Sequence, residues 1–161
     1  GISAVLLDRG LDSGAGSRLP WLLAGAKTLS YAVNMAALRH AAGKGAGDVI
    51  FVSSDGHILE GPRSTVVIAT DGDGGRVCLL TPPPWYPILR GTTQQAVFDV
   101  ASDRDYRALR PADLFAAQGV WLVSSITLAA RVHTIDGRLL MPPDLATEMA
   151  ELVDTAILSD R

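Results

Sequence analysis

Apolar positions along this chain cluster in short runs punctuated by glycine, aspartate and proline, and no single helical stripe dominates. Residues 3–8, 48–53, 66–69, 77–80, 119–124 and 129–135 are rich in Val, Ile and Leu and read as strands, with 106–109 a further one. Ser54-Asp55-Gly56-His57 has the composition of a tight turn, so 58–60 reads as the returning arm of a hairpin. Glycine and aspartate mark two more turns, at 70–75 and at Asp136-Gly137. Helical spacing appears in 31–42 through Val33, Ala36, Ala37, Leu38 and Ala41, and again from 89 to about 102 through Ala96, Val97, Val100 and Ala101. A short helix opens at Pro111, a residue suited to a first turn, and a last one runs from about 143 to 158. Residues 9–20 read as a loop, and 81–87, with four prolines, as a rigid one. Strands outnumber helices and interleave with them, which predicts a mixed α/β domain.

Composition narrows the field. A length of 161 residues fits one domain that buries about two-thirds of its unfolded surface. The net charge of -3 argues against nucleic acid or anionic membrane as the main partner. No apolar run approaches the roughly 18–20 residues of a membrane span. Cys78 is the single cysteine, and His40, His57 and His133 match no metal-ligand spacing, so neither a disulfide framework nor a metal is expected. A cytoplasmic enzyme is the default expectation. Gly1-Ile2-Ser3-Ala4-Val5 reads as the middle of a strand, so an N-terminal portion of a longer protein is expected to precede it.

Candidate chemistry begins with the lysines. Of fourteen basic residues only Lys27 and Lys44 are lysine, and Lys27 lies within Trp21-Leu22-Leu23-Ala24-Gly25-Ala26-Lys27-Thr28-Leu29, among small and apolar neighbours. An amine desolvated by such neighbours becomes a usable nucleophile at neutral pH. Glu60 stands at the end of an apolar strand, in Leu59-Glu60-Gly61-Pro62. Plain structural readings stand beside these. Lys27 could lay its stem along apolar surface, Glu60 could be a solvated strand-end acid, and Thr92 and Thr93 could cap a helix. Tyr31 could be a core aromatic, and Arg63 and Arg131 read as surface arginines.

Four motifs then occur in order: Ala26-Lys27-Thr28-Leu29-Ser30-Tyr31; Gly56-His57-Ile58-Leu59-Glu60-Gly61-Pro62-Arg63-Ser64-Thr65; Leu79-Leu80-Thr81-Pro82-Pro83; and Ile88-Leu89-Arg90-Gly91-Thr92-Thr93. The series resembles the fold-type IV pyridoxal-phosphate enzymes, the class-IV aminotransferase superfamily, over nearly the whole chain. Within it the likeness is greatest to actinobacterial aminodeoxychorismate lyases. The resemblance implies a fold: a mixed sheet or pseudo-barrel with flanking helices. Residues 1–161 would be the C-terminal, larger, cofactor-binding domain, and the smaller N-terminal domain would lie outside this chain.

It also implies roles. Lys27 would carry pyridoxal 5'-phosphate and move protons, Glu60 would keep the ring nitrogen protonated, and Tyr31 would donate to the ring hydroxyl. Gly91, Thr92 and Thr93 resemble the phosphate loop, at a helix start suited to an anion. Ser124 and Ser125 align with a second phosphate-side pair that is Gly-Thr in the aminotransferases, both being serine here, and Ser64 and Thr65 join the cofactor-binding set. The implied reaction converts 4-amino-4-deoxychorismate to 4-aminobenzoate and pyruvate, with Lys27 as the general base on the ring proton. Two alternatives remain: an aminotransferase for D-amino or branched-chain amino acids, and an isolated domain without turnover. The family's smaller domain sets much of substrate choice, and its active site forms at a homodimer interface, with the loop 82–89 a candidate contact or pocket wall. The expected partners are therefore a small amino substrate and a second copy of the chain.

Overall fold

The computed structural model describes residues 1–72, 76–141 and 146–159. Nine strands form one mixed sheet in the order β2-β1-β8-β7-β4-β5-β6, with β3 on β4 and β9 on β8. They are β1 (Ile2–Asp8), β2 (Asp48–Val52), β3 (Glu60–Gly61), β4 (Ser64–Asp71), β5 (Val77–Thr81), β6 (Arg104–Tyr106), β7 (Gly119–Ser124), β8 (Leu128–Ile135) and β9 (Arg138–Leu139). The helices are α1 (Ala15–Arg18), α2 (Ala32–Gly43), α3 (Thr92–Val100), α4 (Pro111–Ala116) and α5 (Ala146–Ser159). β1 runs parallel to β2 and β8, and β5 to β6, while β4 is antiparallel to β3, β5 and β7.

The sheet curls because alternate residues of one strand serve two cores. In β4, Val66 and Ile68 turn inward to join Ile50 of β2, Leu80 of β5 and Leu122 of β7. Their neighbours Val67 and Ala69 face outward, under Val97 and Phe98 of α3 and Met149 and Val153 of α5. The inner core thus links β2, one end of the strand order, with β5 near the other. Ile58 N–H closes the gap by donating to Leu109 O at 2.8 Å. The expected pseudo-barrel with flanking helices is the observed architecture. α2 covers the β1–β2 edge, where Ala37 and Ala41 meet Val5, Val49 and Phe51.

Four local expectations need correcting. The loop at 9–20 holds α1 and a 3-10 turn over Pro20–Leu22, because Ala15 is fully buried and an Arg18–Asp12 ion pair ties the segment together. The strand expected at 106–109 sits at Arg104–Tyr106, since Leu109 drops into the inner core. The helix expected from 89 starts at Thr92, because the Leu89 N–H is spent on Glu60 and Gly91 is extended. The hairpin arm at 58–60 shrinks to a bridge from Ile58 to Val52, with Ser53 N–H donating to His57 O at 2.7 Å. Glu60 and Gly61 instead turn through Pro62-Arg63 and pair with Thr65 and Ser64. Residues 73–75 of the expected 70–75 turn, and the expected helix start at 143, lie outside the described residues.

Register fixes where the site falls. Thr65, at the start of β4, pairs with Val123 near the end of β7, so the β3–β4 turn and Ser124-Ser125 share one end of the sheet. The start of α3 arrives at the same end, with Gly91 packed on Thr65.

Candidate functional site

At that end opens a cavity of about 530 Å³. Its wall includes Lys27, Tyr31, Glu60, Ser64 and Thr65 on one set of elements, and Gly91, Thr92, Thr93, Ser124 and Ser125 on another. The structure therefore brings together all ten residues singled out in the sequence. Four unrelated segments meet there: the loop before α2, the β3–β4 turn, the start of α3 and the end of β7.

Glu60 is the half-buried acid of the cavity. Its Oε2 accepts the Leu89 N–H at 2.9 Å. Burial pushes the carboxyl up to about 7, against the Leu89 N–H and the Arg9 charge, which pull it down. A group balanced near neutrality is charged or neutral according to what is placed beside it. Its half-buried position and the Leu89 N–H bond speak against the solvated strand-end reading of Glu60.

Around the β3–β4 turn the packing is tight and the donors are spare. Ser64 Oγ is buried without a hydrogen-bond partner among the described residues, an arrangement that costs stability unless something else occupies it. A Cβ on Gly91 would collide with Thr65 Oγ1, so only glycine lets the α3 start approach this closely. Gly91 is the N-cap and offers no side-chain cap, while Thr92 and Thr93 occupy the first turn itself. The capping reading of the two threonines is thus not realised, and the first-turn N–H groups face the cavity end of α3. Ser124 Oγ is paired with Thr127 Oγ1 at 2.8 Å and accepts the Thr127 N–H at 3.1 Å, whereas Ser125 is exposed.

The lysine side differs from expectation. Lys27 is exposed, not desolvated, because its apolar neighbours are exposed too: Leu23 is 61% and Leu29 99% accessible. Gly25, at φ +86, lets this segment cross Ile88, whose carbonyl oxygen leaves no room for a Cβ. Tyr31 stands just before α2 and is itself partly exposed, which removes its reading as a core aromatic.

Further lining residues escaped the sequence reading. Arg9 follows β1 and stacks over Phe51 at 5.2 Å, and Asn34 donates from α2 to Pro62 O at 2.7 Å, tying helix to turn. Asn34 was findable, since it lies three residues after Tyr31 on one helix face. Arg9 had no such signal. Arg63 lines the cavity and is exposed, while Arg131 belongs to β8 outside it. Of the loop 82–89, Pro87 and Leu89 wall the cavity, and Trp85 is exposed.

Comparison with known proteins places this geometry. The family model described as amino-transferase class IV matches residues 11–135. A curated relative from Mycobacterium tuberculosis, named a bifunctional aminodeoxychorismate lyase / D-amino acid transaminase, is 72% identical over all of this chain and 58% of its own length. A solved hypothetical aminotransferase from the same species, in a PLP-bound form, is 70% identical with a TM-score of 0.96, covering 100% of this chain and 57% of that one. A fold IV-transaminase from Curtobacterium pusillum is 45% identical with a TM-score of 0.89, over 99% of this chain and 53% of that one. The chain thus spans somewhat more than half the length of these relatives.

Proposed function

This chain belongs to the class IV aminotransferase family, and from that premise we propose that residues 1–161 are the cofactor-binding domain of a pyridoxal-phosphate-dependent aminodeoxychorismate lyase. The substrate would be 4-amino-4-deoxychorismate and the products 4-aminobenzoate and pyruvate. Transamination of D-amino acids on the same residues is the second reading, favoured by the double name of the 72% identical relative. The observation that carries the proposal is a single cavity walled by an amine, Lys27, a half-buried acid, Glu60, and the uncapped start of a helix.

The residues present fit pyridoxal phosphate. The Ser64 hydroxyl, unpartnered among the described residues, and the first-turn N–H groups of α3 form a donor set for a phosphate dianion, and the bare Gly91 α-carbon lets them close on Thr65. Thr92, Thr93, Ser124 and Ser125 add hydroxyls to that set. Bound there, the cofactor supplies an aldehyde for an amine to join and a ring that accepts electron density. Glu60 holds a proton at the ring nitrogen, and its own carboxyl is drawn into the charged form by that positive neighbour. Tyr31 orients the ring through its hydroxyl. Lys27 Nζ takes the proton from the substrate carbon that bears the amine. In the lyase the ring carbon–oxygen bond would break, the enolpyruvyl group leaving as the enolate of pyruvate and taking up the proton held on Lys27 Nζ, while the ring becomes aromatic. In transamination Lys27 Nζ returns the same proton to a different carbon. Substrate choice would be shared with a smaller N-terminal domain, and the working unit would be a homodimer in the cytoplasm.

The test uses the full-length protein with cofactor. Borohydride fixation followed by peptide mapping should find the adduct on Lys27. Aminodeoxychorismate should then yield pyruvate and 4-aminobenzoate, while D-alanine with 2-oxoglutarate should yield glutamate only if the second reading holds. An adduct on Lys44, or none, ends the proposal.

A further inference from the structure

A second cavity, of about 400 Å³, lies on the far side of the wall formed by Thr65, Leu89 and Arg90, residues that line both chambers. Its volume is within the roughly 300–1,000 Å³ of small-molecule sites. None of the chemistry described above uses it.

One side chain marks it as more than a gap. Gln94 is 4% exposed, lines only this second cavity, and its Nε2 has no hydrogen-bond partner among the described residues. A buried amide donor left unpaired destabilises the fold, and an acceptor supplied from outside relieves that cost. Charge gives the sign of that acceptor. Arg90 and Arg104 line the chamber against one acid, Asp99. The Arg104 guanidinium is held in place by its Nη1 bond to Ala101 O at 3.0 Å. Pro82, Pro84 and the Phe98–Tyr106 ring pair, with centroids 5.5 Å apart, add flat apolar faces beside Thr65 and Gln95. Donors plus guanidinium against planar walls suit an anion carried on a flat body.

We propose that this chamber, lined by Gln94, Arg104 and Tyr106, is a binding site for a small aromatic carboxylate, separate from the cavity of Lys27 and Glu60. The carboxylate meets the Arg104 guanidinium and reaches the Gln94 amide once that side chain turns toward the chamber, and the ring lies against Tyr106 and the prolines. The proposal does not depend on the reaction assigned to the first cavity.

Benzoate is the probe, titrated into the full chain and followed by equilibrium dialysis or ligand-observed NMR. Loss of one charge-assisted hydrogen bond should weaken binding by about tenfold or more. That loss is expected in Arg104→Glu, an exposed position that leaves the fold intact, and in Gln94→Leu, with Arg104→Lys retaining part of the affinity. Ser125→Ala and Lys27→Ala, in the first cavity, should leave benzoate binding unchanged. Benzylamine, of the same shape and opposite charge, should not bind. Failure of benzoate to bind overturns the proposal. So does equal binding by wild type and Arg104→Glu, or loss of binding in the first-cavity variants instead.

Discussion

The two walls of the first cavity are built on opposite terms. The acid wall is continuous with the core: Leu59 beside Glu60 is 1% exposed and packs with Val5, Val49, Phe51 and Ile88. The amine wall is a surface ribbon, where Trp21 is 71% and Leu29 99% exposed around Lys27. This chain therefore fixes the position of the carboxylate through its own packing, and presents the amine on a segment whose apolar side chains have no cover within the described residues. Chemistry at the acid is coupled to folding stability. Chemistry at the amine is not.

The largest effect that tests this contrast is on the amine. Lys27→Ala should abolish borohydride-fixable cofactor and lower turnover by on the order of 10²–10⁴-fold or more, with unfolding free energy unchanged to within about 0.5 kcal/mol. Parallel urea titrations and activity assays separate the two readouts. A fall in stability would show that the ribbon is packed in solution and would erase the contrast. Next in size, Leu59→Ala should cost about 2–5 kcal/mol through the cavity it leaves beside Glu60. Its turnover, measured well below the melting temperature, should change far less than that of Lys27→Ala.

How much of this was legible follows the same divide. That these ten residues would gather was legible from motifs that resemble a known family in a fixed order, and order survives in sequence; the structure places all ten on one cavity. β4 was readable because an unbroken apolar run, buried on both faces, has few other fates. The Lys27 segment misled because an apolar run does not state what covers it, and burial is a property of neighbours far along the chain. Residues 9–20 look like loop by composition, yet the Asp12–Arg18 pair and buried Ala15 wind part of it into a helix. The slip of β6 to Arg104–Tyr106 came from Leu109, whose place in the inner core depends on Ile58 across the curled sheet. Arg9 was invisible for the same reason, since its relation to Glu60 exists only after folding.

Glu60 sharpens the comparison through pH. Its carboxyl is raised from 4.5 to about 7 in the folded chain, chiefly by burial, so the folded state binds the proton more tightly than the unfolded state. The sign is then fixed: the group contributes nothing adverse at pH 4, and stability falls as pH rises from about 4.5 to about 7 and stays lower above. The full loss is about 3 kcal/mol at most. Glu60→Gln keeps an oxygen for the Leu89 N–H and carries no charge. In cofactor-free protein it should match wild type near pH 4 and exceed its unfolding free energy by up to that amount near pH 8. The same variant should take up cofactor more weakly. A gap between the two proteins that does not widen with pH would show that Glu60 is solvated.

The smallest expected effect is the most direct test of the amine wall. Leu29 is 99% exposed, so replacing it with serine removes no buried apolar surface, and the unfolding free energy at low protein concentration should move by less than about 0.5 kcal/mol. A homodimer would change that result in a diagnostic way. If a second copy covers the ribbon, the melting temperature of wild type should rise with protein concentration, and Leu29→Ser should flatten that rise without altering the dilute limit. An apolar cover over Leu29 would also exclude water from the neighbourhood of Lys27, supplying by association the desolvation that this chain alone does not provide. A destabilisation of Leu29→Ser that is independent of concentration would instead mean that the ribbon folds back onto the chain itself, and the two walls of the cavity would then be of one kind.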